Sequence, residues 1–491
     1  MLELIILPPL AAGVLAFAFQ RNPRRVEAIA LAGAFLAALF ALLAVAGFLQ
    51  APSGFRDFYG LLYLDSVSGL FTALTSVVAF LIFLYSIGYI RHEVKEKTVD
   101  ARQIGLYYGL FSLFLAAMLV STLATHPIVM WAAIEATTLA SVFLISFYQT
   151  SSSIEAAWKF FIINSVGILL ALAGILFLLF ALLPPGSVTG GEWDSLLVVQ
   201  EGADLLFLKI AFAFILVGFG TKVGLVPLHV WLPDAHSQAP TPVSAILSGL
   251  LLNIAFYGIV RSYQVVAPYD SMVQFASGLL IAFGLLSLAI GSLRIYFQHN
   301  LKRMLAYSSV ENMGIVALAF GFGGPLGVAA ALFHMVSHSL AKPLAFFASG
   351  IIAFAFKTKE IPLIGGAAQV VPMVAIPFVF IAAGLAGSPP FGTFLSELGV
   401  LAATLSAGQW VVALLFIIFT TIAFASLLYR ASAISFGQKP KGAAAFSPDR
   451  TMMLSFAALL ALTLYMGIMP PAEFIRLLDL AVRAILGARY G

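Results

Sequence analysis

Cysteine is absent from the 491 residues, which excludes disulfides, thiolate-held iron–sulfur clusters and cysteine nucleophiles on this chain. Charge is scarce as well. Asp, Glu, Lys and Arg make up 9% of the residues, where a soluble chain carries about 25%. No polar stretch is long enough to fold as a separate soluble catalytic domain. The net charge of +4 is too small to suggest nucleic-acid binding, and the basic residues lie between apolar runs. Basic residues are also missing ahead of the apolar core of Met1–Phe19, which Pro8 and Pro9 interrupt, so this segment is expected to be a first transmembrane helix and not a signal peptide. What the sequence does have is apolar: 62% of residues are hydrophobic, as expected of an all-α polytopic membrane protein.

Crossing a bilayer takes about 20 mostly apolar residues. Fourteen such runs occur, from 2–19 to 451–470. Basic residues concentrate in the loops after odd-numbered runs, among them Arg21, Arg24, Arg91, Lys95, Arg294, Lys357, Arg430 and Lys439. The loops after even-numbered runs hold only Arg56 and Arg261, and the loop 184–204 is acidic (Glu192, Asp194, Glu201, Asp204). The positive-inside rule then makes the odd loops cytoplasmic and places both termini outside. The run 367–400 is too long for one straight helix and contains Gly387-Ser388-Pro389-Pro390-Phe391-Gly392, so a break is expected there. The tail Pro471–Arg489 is amphipathic; it is either an interfacial helix or a frayed terminus.

Two stretches echo each other. Phe219-Gly220-Thr221-Lys222 in the seventh run resembles Phe391-Gly392-Thr393-Phe394 in the twelfth, with 172 residues between Gly220 and Gly392. That offset covers five runs, an odd number, so the second unit enters the membrane with opposite polarity. The expected layout is helices 1–3 in residues 1–103, a five-helix unit in 104–262, its inverted repeat in 263–433, and a last helix with the tail in 434–491. Helices 7 and 12 are broken at matching positions, which is the sequence pointer to an ion site. Coincidence among common membrane glycines is the competing explanation.

Several ionisable residues fall deep inside these runs. An unpaired lysine at bilayer depth costs roughly 2.5–3.5 kcal/mol, so such groups line a wet pathway or pair with each other. Lys222 and Glu135 are natural partners. Together each holds the other charged, and apart both drift toward neutrality, which is what a proton carrier requires. A static salt bridge that fixes helix packing is the alternative. His334, His338 and Lys342 recur at i, i+4 and i+8 and stack on one helix face, as a proton relay or as structural hydrogen bonding. No third ligand accompanies the two histidines, so no metal is expected. Glu397, after the second break, is expected to pair with Lys342. Glu311 lies deep in the tenth run, whereas Arg294, His299, Lys302 and Arg303 read as membrane-edge groups that snorkel. Asp65 reads as a helix cap. Pro227–Ser237 reads as a cytoplasmic-side loop in which His229, Asp234 and His236 gather protons, or as a rigid proline-clamped turn.

At these residues the chain resembles the antiporter-like subunits of respiratory complex I, the Mrp-type cation antiporters and the energy-converting membrane-bound nickel–iron hydrogenases. The matching text comprises Glu135 in its tryptophan-led helix, Gly220–Lys222 through Pro227–His236, and Ala239–Ser244. It continues with Leu305–Ser309, His334–Lys342 and the broken helix ending at Glu397. It covers about residues 60–435. The resemblance implies fourteen helices in a prokaryotic cell membrane, with proton or sodium translocation coupled to redox chemistry on other, iron–sulfur-bearing subunits and no cofactor on this chain. By the same resemblance Glu135 and Lys222 are the first-half pair, His334, His338 and Lys342 the central relay, and Glu397 the second-half exit. Two departures matter. Many relatives carry a lysine eight residues before the arginine that ends the eighth helix. Here that position is Asn253, so the halves must be linked through water, Ser248 or another group. The tenth helix reads Glu311-Asn312, where complex I relatives lack the pair, a variant resembling the hydrogenase branch. The short tail leaves no room for the lateral helix of one complex I subunit. An Mrp-type antiporter component without a redox partner and a membrane scaffold are the competing functional readings.

Overall fold

A backbone in lipid must bond to itself, so apolar runs of this length fold as helices. The computed structural model describes residues 1–183, 191–200 and 202–487; Glu201 and Arg489 lie outside the described residues. Among the described residues, twelve helical spans are long and apolar enough to cross a membrane. Glu3–Ala18 and the two halves of the interrupted twelfth span, Pro372–Leu385 and Gly392–Ser406, are shorter apolar helices, and with them the fourteen-helix architecture is complete. The eighth span (Thr241–Val266) and the tenth (Leu301–Phe322) are enclosed by the others, whereas the ninth (Asp270–Tyr296) and thirteenth (Trp410–Phe436) mostly face outward. Polar side chains concentrate on the enclosed spans, where lipid cannot reach them.

Both breaks fall in the expected spans. The seventh helix, Leu205–Val223, stops at Gly224, whose φ of 81° is the left-handed geometry that glycine adopts without strain. Its freed groups find partners: the Trp231 indole donates to the Thr221 carbonyl at 2.8 Å, and Val226 N–H donates to Ser287 Oγ at 2.9 Å. The twelfth breaks at Gly387, also left-handed with φ 75°. The textual echo, however, does not align the two breaks. Gly220 precedes the first break and Gly392 follows the second, so the corresponding glycines are Gly224 and Gly387.

The expected loop at Pro227–Ser237 is a second correction. A short 3-10 turn, Leu228–Trp231, leads directly into a half-helix, Leu232–Gln238, with Pro233 in its first turn. This half-helix completes the broken seventh span. Arg261 is a third: it lies inside the eighth helix with 1% of its side chain exposed, not in a loop. The eighth helix contains a π-helical turn, Leu247–Leu251, which sequence reading missed.

Outside the spans, Phe55–Asp57 and Leu62–Leu64 pair as a short antiparallel hairpin, which the all-helical expectation also missed. The tail forms a helix, Ala472–Leu486, that buries Leu477, Ala481 and Ile485 against the third and eleventh spans. Close helix approach is built on glycine. A Cβ on Gly314 would lie 2.6 Å from the Leu288 nitrogen, and one on Gly284 2.7 Å from the Leu318 nitrogen, which locks the ninth span to the tenth. Gly314→Ala must push these backbones apart. We expect it to destabilise the protein by about 1–3 kcal/mol, read as a lowered thermal midpoint in detergent. An unchanged midpoint would refute the close-packing account.

Candidate ion-translocation site

Lys222 occupies the last turn of the seventh helix, where the carbonyl end of the helix dipole favours a cation. It is fully buried. Its ammonium donates to the Ile134 carbonyl at 2.7 Å and to the Thr138 hydroxyl, both on the fifth span, Pro127–Ile145. Thr138 in turn donates to Glu135 Oε2 at 3.0 Å, and Ser165 of the sixth span donates to Oε1 at 3.4 Å. Among the described residues Lys222 and Glu135 form no direct ion pair: one hydroxyl stands between them. Because that hydroxyl both accepts and donates, it can hand a proton between amine and carboxylate without either side chain crossing the gap.

The second half repeats the arrangement on different residues. Lys342, on the eleventh span (Gly324–Phe356), donates to the Leu305 carbonyl at 3.1 Å and to the Ser308 hydroxyl, both on the tenth span. Glu311 follows Ser308 by three residues, as Glu135 precedes Thr138 by three. A buried lysine that donates to a helix carbonyl and a hydroxyl therefore occurs twice, but Ser308 donates to the Leu305 carbonyl and not to Glu311, which Asn312 bonds instead. The expected partner, Glu397, does not pair with Lys342. Its carboxylate packs over Gly387 in the break, where any side chain on Gly387 would displace it, and Oε1 has no hydrogen-bond partner. Analogy with the first half favoured Glu397, but Lys342 points at the tenth span instead.

Asn312 is the junction that sequence reading noted only as part of a variant motif. Its amide donates to Glu311 Oε2 and to the Ser308 carbonyl at 2.7 Å, and its Oδ1 lies 3.1 Å from His334 Nε2. His334 Nδ1 meets Ser396 Oγ at 2.9 Å, one residue before Glu397. Side-chain bonds thus join Glu311, Asn312, His334 and Ser396, beside Glu397, while Lys342 meets the Ser308 hydroxyl and Asn312 only the Ser308 carbonyl. His338 is fully buried, and neither of its nitrogens has a hydrogen-bond partner among the described residues.

The halves meet at the eighth span. Ser248 Oγ and Ser309 Oγ are 2.6 Å apart, so Ser248 bridges to the tenth span beside Ser308. Asn253 donates to Ser339 Oγ at 2.6 Å and to the Met335 carbonyl at 3.0 Å, tying the eighth span to the eleventh. Of the residues expected to gather ions, Asp234 is held by Lys159 (3.3 Å) and Arg303. His229 is half-buried beside the Tyr307 ring, and His236 is fully buried on the half-helix against the Phe346 ring at 5.5 Å. Lys302, expected to snorkel, is 1% exposed and donates to the Ala239 carbonyl, because the half-helix end and the loop at Lys359 cover it.

Comparison with known proteins shows the family and the fold. The family described as NADH:quinone oxidoreductase/Mrp antiporter, transmembrane, matches residues 124–423, and that of the N-terminus of complex I chain 5 matches residues 58–97. The hydrogenase-4 component F homolog of Methylacidiphilum infernorum is 36% identical over 84% of this chain and 86% of its own. Hydrogenase-4 component B of Escherichia coli is 32% identical over 68% of this chain, which spans about half (50%) of that relative's length. An archaeal membrane-bound sulfane sulfur reductase contains a chain of the same fold, with TM-score 0.86 and 22% identity, covering 99% of this chain and 97% of that one. The chain belongs to the antiporter-like membrane-subunit family shared by respiratory complex I, Mrp antiporters and hydrogenase-type complexes.

Proposed function

We propose that this chain translocates protons or sodium ions as a subunit of a membrane-bound hydrogenase- or complex I-related respiratory complex. The observation that carries this is the pair of fully buried lysines, Lys222 and Lys342, each donating to a helix carbonyl and a hydroxyl, with Thr138 passing the first on to Glu135 and Asn312 joining Glu311 to His334 in the second half. Burying Lys222, Lys342, Glu311 and His334 among membrane-spanning helices costs far more than packing needs, and ion movement is the role that accounts for it. Lys222 and Glu135 serve the first half, while Lys342, Glu311, His334 and Glu397 serve the second. Partner subunits carry the redox centres, since thiolate-held clusters have no ligands here. Their electron transfer drives ions across, with the odd loops in the cytoplasm and both termini outside. The similarity to hydrogenase-4 components favours this over an Mrp-type antiporter without a redox partner.

Purification of the native complex tests the assignment. Co-purifying subunits that contain iron and acid-labile sulfide are expected, and electron donation to them should drive dye-reported ion uptake in vesicles. A complex made only of iron-free membrane subunits that exchanges sodium for protons would favour the Mrp-type reading.

A further inference from the structure

The first helix (Glu3–Ala18), the fourth span (Ala101–Leu123) and the fifth span leave a groove of about 450 Å³ between them. It opens on the outside of the bundle, where Leu10, Leu139 and Phe143 are exposed. Among the described residues, every side chain that lines it is apolar. Four alanines, Ala116, Ala117, Ala136 and Ala140, supply the room, because larger side chains there would fill it.

The shape restricts what can enter. From Leu110 to Val120 the groove follows about 15 Å of helix, which gives it a mean cross-section of about 30 Å². A helix about 10 Å across needs roughly 80 Å², so a partner's helix rides on the rim and leaves the groove unfilled. One extended hydrocarbon chain fits inside, and the bilayer supplies such chains.

Cations stand at one end. Arg102, Leu106, Leu110, Leu113, Ala117 and Val120 follow at steps of three or four residues, so Arg102 lies at the foot of the same face of the fourth span, about 12 Å along the axis from Leu110. Arg21 follows Gln20, which packs on Gly105: a Cβ on that glycine would lie 2.5 Å from the Gln20 Cβ. Both arginines are exposed, and neither forms an ion pair among the described residues. The acid nearest in sequence to Arg102 is Asp100, whose carboxylate accepts the Arg102 backbone N–H at 2.9 Å.

We propose that this groove binds one anionic phospholipid, with an acyl chain lying between Leu110 and Val120 and the headgroup phosphate held by Arg21 and Arg102. Guanidinium groups hold phosphate oxygens by paired, charge-assisted bonds. Two of them with no paired carboxylate favour a headgroup of net negative charge over one that also carries an ammonium. The chain covers Ala136, the neighbour of the half-buried Glu135, and so closes the outer face of the fifth span beside that carboxylate.

The test counts phospholipid retained by the whole complex after extended detergent washing, with headgroups identified by mass spectrometry. Ala117→Phe fills the groove, and Arg21→Gln with Arg102→Gln removes the cations. Each is expected to retain one anionic phospholipid fewer than the parent. Ala140→Phe repeats the test from the opposite wall should Ala117→Phe not assemble, and the arginine variant, which leaves the helix packing alone, decides if neither does. Unchanged anionic lipid in the variants that assemble overturns the proposal, and so does loss of a neutral phospholipid instead. Because the chain has no cysteine, Leu139→Cys carries a photoreactive label at the groove alone. Cross-linking of that label to a partner subunit and not to lipid shows that protein covers the groove, which also overturns it.

Discussion

Lys222→Ala should leave the complex assembled and stop ion movement, with a fall of about 100-fold or more, the scale expected when a positioned proton-transfer group is lost. Assembly survives because no charge is left stranded. The groups that Lys222 contacts are the Ile134 carbonyl and the Thr138 hydroxyl, and the hydroxyl keeps its bond to Glu135 Oε2 at 3.0 Å. Lys222→Ala breaks no direct ion pair, so its cost is that of the cavity left by the lysine stem and not that of an unpaired buried charge. Lys222→Arg should be nearly as inactive, since arginine holds its proton throughout. Thr138→Val keeps both charged residues and deletes only the hydroxyl between them, so it separates the relay from a simple electrostatic role. We expect a loss of about tenfold or more, against no loss if the lysine and carboxylate act independently. Dye-reported uptake driven by the native electron donor measures all three. Native-rate uptake in Lys222→Ala would overturn the carrier assignment.

The fourteen helices were legible because hydropathy depends only on composition along the chain, and so were the two breaks, since glycine and proline act locally. What a side chain faces is not local. Glu397 looked like the partner of Lys342 by analogy with the first half, yet Lys342 reaches the tenth span and the carboxylate near its hydroxyl is Glu311. Lys302 and Arg261 resembled membrane-edge charges because they lie near helix ends, where long basic side chains ordinarily reach water. Both are buried by segments distant in sequence, the Lys359 loop over one and the Asp65 cap with the tail helix around the other. The half-helix Leu232–Gln238 was hidden by its prolines, which mark loops in water but here only mark where a broken span resumes. Thr138 and Asn312, the hydroxyl and amide that join the charged groups, carry no composition signal that sets them apart from ordinary helix-packing residues.

Asp65→Asn should cost about 3–5 kcal/mol of stability, because it leaves Arg261 buried without a counter-charge. Arg261 is 1% exposed and meets Asp65 through two parallel bonds, Nη1 to Oδ2 at 2.7 Å and Nη2 to Oδ1 at 2.8 Å. Its Nε donates to the Tyr257 hydroxyl at 2.8 Å, and Tyr257 donates to the Thr122 carbonyl at 2.9 Å. Nη1 also donates to Gln264, whose amide donates to the Ala484 carbonyl of the tail helix at 2.9 Å. One ion pair thus ties the third, fourth and eighth spans to the tail. Asparagine still accepts the Ser68 N–H bond that caps the third helix at 2.8 Å, so the substitution isolates the charge. Acid should act in the same direction. Burial pushes the Asp65 carboxyl up, but the Arg261 guanidinium outweighs it and holds the group below the usual carboxylate range. Its stabilisation is therefore present above the unfolded value of about 3.9 and is lost as pH falls through the lower folded value, so the difference between parent and Asp65→Asn should shrink in that window. Replacing both partners, Asp65→Leu with Arg261→Met, should recover much of the loss, since two apolar groups leave no charge to desolvate. Thermal unfolding in detergent across pH 2–7 measures these effects. A neutral-pH loss below about 1 kcal/mol for Asp65→Asn would mean that water reaches Arg261 and that the latch holds nothing.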